Sequence, residues 1–268
     1  MYPYFMVFGK MITTYLIMSV IGAFIAGIFV CRLTRQRGMD DNDSIIVLLF
    51  SAIGVLLGGH LLYGLTNLKY IPQIFESESF SQFIQNVNTV FGGSVYYGGL
   101  ICGILAAIIT IKIKKLELPI FADMLAVSIP LFHSFARVGC FLGGCCYGIE
   151  SEFGFTAHNN NLVPNVNDVS RFPVQLLEAV CNILIFVLLY IIYKRSLQNE
   201  FLKGKIIFFY LILYSIVRFF DEFLRGDEIR GFVFGMSTSQ FISILLFSIS
   251  VIWLIVLTFK FKRMKKRL

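Results

Sequence analysis

The chain has 268 residues, of which 57% are hydrophobic and 15% charged, with 29 phenylalanines and a mean hydropathy of +0.79. Those values exclude a soluble globular domain of this size and indicate an integral membrane protein. The formal net charge of +7 gathers at the ends of apolar segments; this reads as topology and attraction to anionic membrane lipid, and no nucleic-acid partner is expected.

The N-terminal "MYPYF" lacks the basic start of a cleavable signal, and the run from Ile12 to Cys31 is long enough to cross the ~30 Å hydrocarbon core at ~1.5 Å per residue. Further spans are predicted near 44–64, 92–111, 119–137, 174–193, 206–224 and 238–259. The expected fold is therefore an all-α integral membrane protein of about seven transmembrane helices, forming a single transmembrane domain over 1–268. Between the second and third spans lies 67–91, where Ile74, Phe75, Phe80, Phe83, Ile84 and Val87 recur at three-to-four-residue steps among Glu, Ser, Gln and Asn. That pattern fits an outer amphipathic arm at the interface, or a solvated loop. Residues 148–172 are rich in Asn, Asp, Glu, Ser and Pro and are expected to form a small outer head loop. The end of the chain, 260–268, is a basic tail. With the N-terminus outside, Arg32, Arg35, Arg37, Lys112, Lys114, Lys115, Lys194, Arg195, Lys203, Lys205 and the tail all fall inside, so most of the 23 basic residues are cytoplasmic. The positive-inside rule then gives N-out, C-in.

Four polar sets sit within or beside apolar spans, all at the outer level under that topology. His133 and Arg137 lie one turn apart on the fourth span, Arg218 and Glu222 one turn apart on the sixth, Tyr96 and Tyr97 open the third, and Gln175 and Glu178 open the fifth. Ionisable groups in hydrocarbon cost several kcal/mol unless paired or wetted, so such groups usually face the protein interior and mark a site. Arg218–Glu222 alone could be a simple helical ion pair, and His133 alone a satisfied buried histidine. Their convergence points to an outward-opening polar cavity. Two guanidinium forks together with the backbone at Gly98, Gly99 and Gly139 suit a phosphate group, and lipid headgroups are the anions nearest to hand.

On these residues the chain resembles the bacterial prolipoprotein diacylglyceryl transferase family. "ARVGCFLGGCCYG" is similar to the family signature G-R-x-G-N-F-x-N-G-E-x-x-G. In the family's order, "GGSVYYGGLICG" resembles G-G-x-x-x-x-G-G-L-x-G, "FADMLA" resembles A-D-x-x-A, "FPVQLLEA" resembles H-P-x-Q-L-Y-E-A, and "YSIVRFFDEFLRGD" resembles R-F-x-x-E-F-x-R. The resemblance implies transfer of the diacylglyceryl group of phosphatidylglycerol to the lipobox cysteine in the signal peptide of a prolipoprotein, with release of glycerol phosphate, in the bacterial cytoplasmic (inner) membrane with the active site facing the outer leaflet. It implies no cofactor. Carried over by position, it makes Arg137 the headgroup ligand, Arg218 the stabiliser of the leaving phosphate, Glu222 its orienting partner or a proton acceptor, and Tyr214 a hydrogen-bond donor to the same group. The chain departs from the family at Tyr97, where the best-known members carry histidine. It departs again at Cys140 and Cys145, which replace the signature's asparagine and glutamate, and at His60 in span two, which replaces an arginine. A phenol of pKa ~10 is a poor base near neutral pH, which leaves His133 as the natural substitute. Two other readings remain: a paralogue on the same scaffold that serves a different acceptor, and a non-catalytic lipid-binding or transport protein.

Six cysteines are present. Cys31, Cys102 and Cys181 lie in spans and read as small packing residues. Cys140, Cys145 and Cys146 fall on the expected outer side, where a disulfide from Cys140 to Cys145 or Cys146 would pin the signature loop; the pairing is open. No metal is expected: zinc would need a fourth ligand such as His133 or His158. A thiol carrying a covalent intermediate is a further alternative to a structural role.

Overall fold

The computed structural model describes residues 1–227 and 231–265; the end of the expected basic tail, with Lys266 and Arg267, falls outside them. Among the described residues, six helices are long and apolar enough to cross a membrane: α1 (Thr14–Gln36), α2 (Asp41–Thr66), α5 (Tyr96–Ile113), α6 (Leu118–Gly143), α7 (Val174–Ser196) and α9 (Thr238–Lys265). Three shorter helices are α3 (Ile71–Phe75), α4 (Phe80–Phe91) and α8 (Ile206–Asp221). Three antiparallel ribbons complete the described elements: β1 (Tyr4–Val7) with β2 (Lys10–Thr13), β3 (Glu150–Thr156) with β4 (Ser170–Arg171), and β5 (Phe232–Val233) with β6 (Met236–Ser237). The chain divides into two compact units, one spanning Thr34–Phe121 and the other combining Met1–Leu33 with Ala122–Leu268.

In the first unit, Asp40 caps α2 by accepting from Asn42 N at 2.9 Å, and Asp41 and Asp43 place negative charge in its first turn. Lys114 answers Asp43 at 2.9 Å and Arg35 answers Asp41 at 3.2 Å. Helices α2 and α5 pack through small residues. A Cβ built at Gly58 would come within 2.4 Å of both Cys102 Cβ and Gly98 O, so the two backbones approach as closely as membrane helices allow. The segment at 67–91 is helical: a 3-10 turn Leu68–Tyr70, α3, then α4 begun by Ser79, whose hydroxyl accepts from Gln82 N at 3.2 Å. Phe80, Phe83 and Ile84 are exposed on α4 while Val90 is buried, so the segment is folded as short helices with an apolar set left on the surface of α4.

In the second unit, the N-terminal expectation of one apolar run is refined. The β1–β2 hairpin precedes α1, which starts at Thr14 with its N–H bonded to Pro3 O at 3.0 Å. Helix α6 runs six residues past the expected end at 137, so Arg137 sits inside a helix and not at its terminus. Helix α7 buries Gln175, Glu178, Asn182, Ile185, Leu189, Tyr193 and Ser196, one face at helical spacing that changes from polar to apolar along its length. The sixth expected span is the 16-residue α8, ending in a 3-10 turn, Glu222–Leu224. At ~1.5 Å per residue α8 covers ~24 Å, short of the ~30 Å core. Its start is fixed by Asp123, a fully buried carboxylate from α6 that accepts from Gly204 N at 2.6 Å, Ile206 N at 2.8 Å and Ile207 N at 3.3 Å. Ile206 and Ile207 open α8 and their amides have no partner within the helix, so an anion supplied from another element satisfies them together with the preceding Gly204 amide. Helix α9 opens with a reciprocal cap, Ser237 N to Gln240 Oε1 at 3.1 Å and Gln240 N to Ser237 Oγ at 3.2 Å.

The head loop is the β3–β4 ribbon, with Thr156 opposite Ser170 and an irregularity between Glu150 and Phe155. Buried Asn160 ties it to α6 by donating to Gly143 O at 3.0 Å.

Candidate active site

Helices α6, α7 and α8 of the second unit, with the 3-10 turn that follows α8, place three arginines around one glutamate. Glu178, one turn into the buried face of α7, is 3% exposed. Arg137 Nε lies 2.5 Å from its Oε2, while Arg218 Nη1 and Arg225 Nη1 stand 3.7 and 3.8 Å from its Oε1. The outlying arginines keep partners of their own. Arg218 Nη2 meets Glu222 Oε2 at 2.8 Å and donates to Ser239 Oγ at 2.8 Å. Arg225 grips Asp227 through Nε and Nη2 at 2.9 and 2.5 Å. The site is therefore an alternating array of guanidinium and carboxylate, and Arg218–Glu222 is part of it, not an isolated helical pair.

The array is close-packed but not fully hydrogen-bonded. Among the described residues, Glu178 Oε1, Arg218 Nη1 and Asp221 Oδ2 are buried side-chain atoms without a hydrogen-bond partner. A gap of 3.7 Å between Arg218 Nη1 and Glu178 Oε1 is an electrostatic contact too long to be a hydrogen bond. Arg218 thus offers a buried donor, and Arg137, whose side chain is 21% exposed against 13% and 7% for Arg218 and Arg225, is the most accessible of the three arginines.

The cysteine-bearing loop borders this array. Gly144, at φ 79, ends α6 with the bond pattern of a left-handed helix cap: Gly144 N to Phe141 O at 3.2 Å and Cys145 N to Cys140 O at 3.1 Å. That cap folds Cys145 back over Cys140. Cys146 then adopts φ 55, uncommon for a residue with a Cβ, and the three sulfurs lie within 4.8 Å of one another. All three are thiols in the structure, and neither His133 nor His158 joins the cluster of ligand atoms. Hydrogen bonds from Cys140 and then Cys145 hold the Cys146 thiol below the ordinary cysteine range against the opposing effect of burial, with Arg225 and Arg137 adding to the stabilisation of the thiolate. The loop is fixed to its neighbours: Gln175 donates to Cys145 O at 2.9 Å, and Ile149 N to Leu224 O and Gly226 N to Tyr147 O each span 2.9 Å.

His133, Arg137 and Cys140 follow one another at helical spacing on α6. The His133 ring is 5.8 Å from that of Tyr214, which is 5.8 Å from Tyr210, so His133 belongs to an aromatic stack beside the array. Gly139 packs against α1, where an added Cβ would meet Met18 Cβ at 2.9 Å, and Gly98 packs against α2; Gly99, which follows it, is buried too. These glycines have a packing role that the sequence reading did not assign. Tyr97 lies in the first unit, 49% exposed beside Tyr96 with ring centroids 5.7 Å apart, and His60 there engages the carbonyls of Phe91 and Gly93 at 2.7 and 2.8 Å. The sequence reading missed Arg225, Asp227, Asp221 and Ser239. The signal for Arg225 was the closing arginine of the R-F-x-x-E-F-x-R pattern, to which no role had been given; the chain has left the helix there and Arg225 is extended.

A family model described as prolipoprotein diacylglyceryl transferase matches residues 3–256. Curated relatives include a phosphatidylglycerol–prolipoprotein diacylglyceryl transferase of Clostridium tetani, 31% identical over 246 residues covering 90% of this chain and 91% of the relative. A second enzyme of that name from Clostridium perfringens is 32% identical over 244 residues, covering 89% and 88%. One from Campylobacter jejuni is 30% identical over 266 residues, covering 96% and 93%.

Proposed function

Because this chain belongs to the prolipoprotein diacylglyceryl transferase family, we propose that its arginine–carboxylate array carries out transfer of the diacylglyceryl group of phosphatidylglycerol to a prolipoprotein cysteine thiol, releasing glycerol phosphate. The observation that carries this reading is the buried, unbonded Arg218 Nη1 beside two further guanidinium groups converging on Glu178. In the reaction a thiolate attacks the glyceryl carbon, the carbon–oxygen bond to phosphate breaks, and negative charge grows on the departing phosphate. A donor already fixed in a dry site stabilises that charge without reorganising, which is where such groups act most strongly. Arg137, the most accessible guanidinium, takes the phosphodiester; Arg218 follows the charge onto the leaving group; Glu222 and Ser239 hold Arg218 in place. Tyr214 supports the same anion, Gln175 fixes the cysteine loop beside it, and His133 accepts the thiol proton.

The reading extends to topology: seven crossings, the seventh being α8 with its 3-10 extension, with the N-terminus outside, the basic tail inside and the site toward the outer leaflet of a bacterial cytoplasmic membrane. The acceptor cysteine is that of a lipobox in a signal peptide. Complementation of a strain depleted of its own transferase, read as lipidation of a test lipoprotein, tests the activity. Substituted-cysteine labelling that placed Lys262 and the 148–172 loop on one side would reject the topology.

A further inference from the structure

We propose that Cys140, Cys145 and Cys146 form a three-thiolate site for a zinc-class divalent cation, and that the prolipoprotein's acceptor thiol completes the coordination as the fourth ligand; this rests on the transferase reading above. The three sulfurs lie within 4.8 Å of one another. Zinc bonded to sulfur at ~2.3 Å sets its ligands ~3.8 Å apart, a spacing that small side-chain rotations reach from this arrangement. Thiolates select soft or borderline cations. The cluster is also built, not incidental: the cap at Gly144 returns Cys145 to Cys140, and the left-handed turn at Cys146 brings the third sulfur in, a backbone cost that the site's geometry explains.

Among the described residues the cluster gathers three protein ligands and no fourth, the open-position arrangement of catalytic and not structural zinc. The position lies beside the array. Gln175, one turn from Glu178, holds Cys145 O, and Arg225 flanks the loop through the Gly148–Arg225 bridge. Three thiolates and a divalent cation carry one net negative charge, which the neighbouring guanidinium groups offset. An acceptor thiol that binds the cation is deprotonated outright, and its proton passes to His133 or water. A sulfur lone pair then attacks the glyceryl carbon, the carbon–sulfur bond forms, and the carbon–oxygen bond breaks with its electron pair leaving on glycerol phosphate. No electron is exchanged, and the neutral thioether, a weaker ligand than thiolate, departs. A covalent intermediate on one of the protein's own thiols does not serve the reaction, because a thioether is a poor leaving group for the second transfer.

The test uses the full chain purified in mild detergent without chelator or reductant. Elemental analysis is expected to give about one zinc per chain, and cobalt exchange a thiolate-to-cobalt charge-transfer band that is lost in Cys145→Ser and Cys146→Ser. A lipobox peptide should shift the cobalt ligand-field bands of the wild-type protein, while the same peptide with serine in place of cysteine should not. Absence of metal and of the charge-transfer band in wild type overturns the proposal. So does a mapped disulfide between two of the three cysteines, or a bound cuprous ion closed to the peptide. Chelated wild type that keeps full turnover overturns the metal role while the transferase reading stands. A cobalt spectrum that answers to the peptide without thioether formation from phosphatidylglycerol supports the site and defeats the transferase reading.

Discussion

Replacing Glu178 by glutamine keeps the side chain's shape and removes the one charge shared by three arginines. At ~4 Å and an effective dielectric of ~20, each such pair carries ~4 kcal/mol before desolvation. Breaking a buried pair costs ~3–5 kcal/mol because a charge is left behind. Arg218 and Arg225 retain Glu222 and Asp227, so the loss falls on Arg137, whose Nε sits 2.5 Å from Glu178. Its side chain is 21% exposed and rehydrates in part, which places the cost near ~3 kcal/mol. Glu178→Gln should therefore lower the apparent Tm in detergent by roughly 10 °C. Turnover should fall by ~10²-fold or more, because the guanidinium presented to the headgroup loses its fixed orientation. The assay is glycerol phosphate release from phosphatidylglycerol with a lipobox peptide, alongside thermal aggregation of the same preparation. A variant with wild-type turnover and unchanged Tm would refute Glu178 as the organising charge.

Arg137→Lys and Arg218→Lys conserve charge but lose the planar fork, so neither should restore turnover in the same assay; near-normal rates in both would remove the phosphate-clamp mechanism. His133→Gln should leave phosphatidylglycerol binding to the detergent-solubilised protein largely intact while turnover drops ~10²-fold, the scale of a lost proton acceptor; equal loss of binding and turnover would make His133 a packing residue. Asp123→Ala should cost ~3 kcal/mol, more than the ~1 kcal/mol of an ordinary capping residue, because three amides, one buried and two half-buried, lose a charged acceptor at once. Hydrogen exchange at Gly204, Ile206 and Ile207 should accelerate in that variant, and unchanged protection there would count against the clasp.

Apolar length and helical spacing made most of this molecule legible. The polar end of the α7 face, Gln175 and Glu178, could be read as a site because buried amide and carboxylate groups at the mouth of a span are costly without a partner. Contacts set by tertiary structure were not legible. Asp123 reaches amides more than 80 residues away in sequence, and a motif reading of "FADMLA" contains no hint of what the carboxylate touches. Arg137 looked terminal because hydropathy falls off before the helix does; the capped helix continues to Gly143. The cysteines were visible as a cluster in sequence, but only the left-handed residues Gly144 and Cys146 bring all three sulfurs to one place.

The carboxylate clasp on α8 acts as a datum from which the height of the chemistry is measured. Asp123 and Arg137 are 14 residues apart on α6, and Ile206 and Arg218 are 12 apart on α8, so both arginines lie ~18–21 Å from the same fixed point along two helices. Inserting a single residue between Ile207 and Val217 would turn Arg218 by ~100° and raise it ~1.5 Å, while leaving composition and hydropathy almost unchanged. Length between the clasp and the arginine is thus a fixed dimension of this enzyme, one in which substitutions are tolerated and a change of register is not.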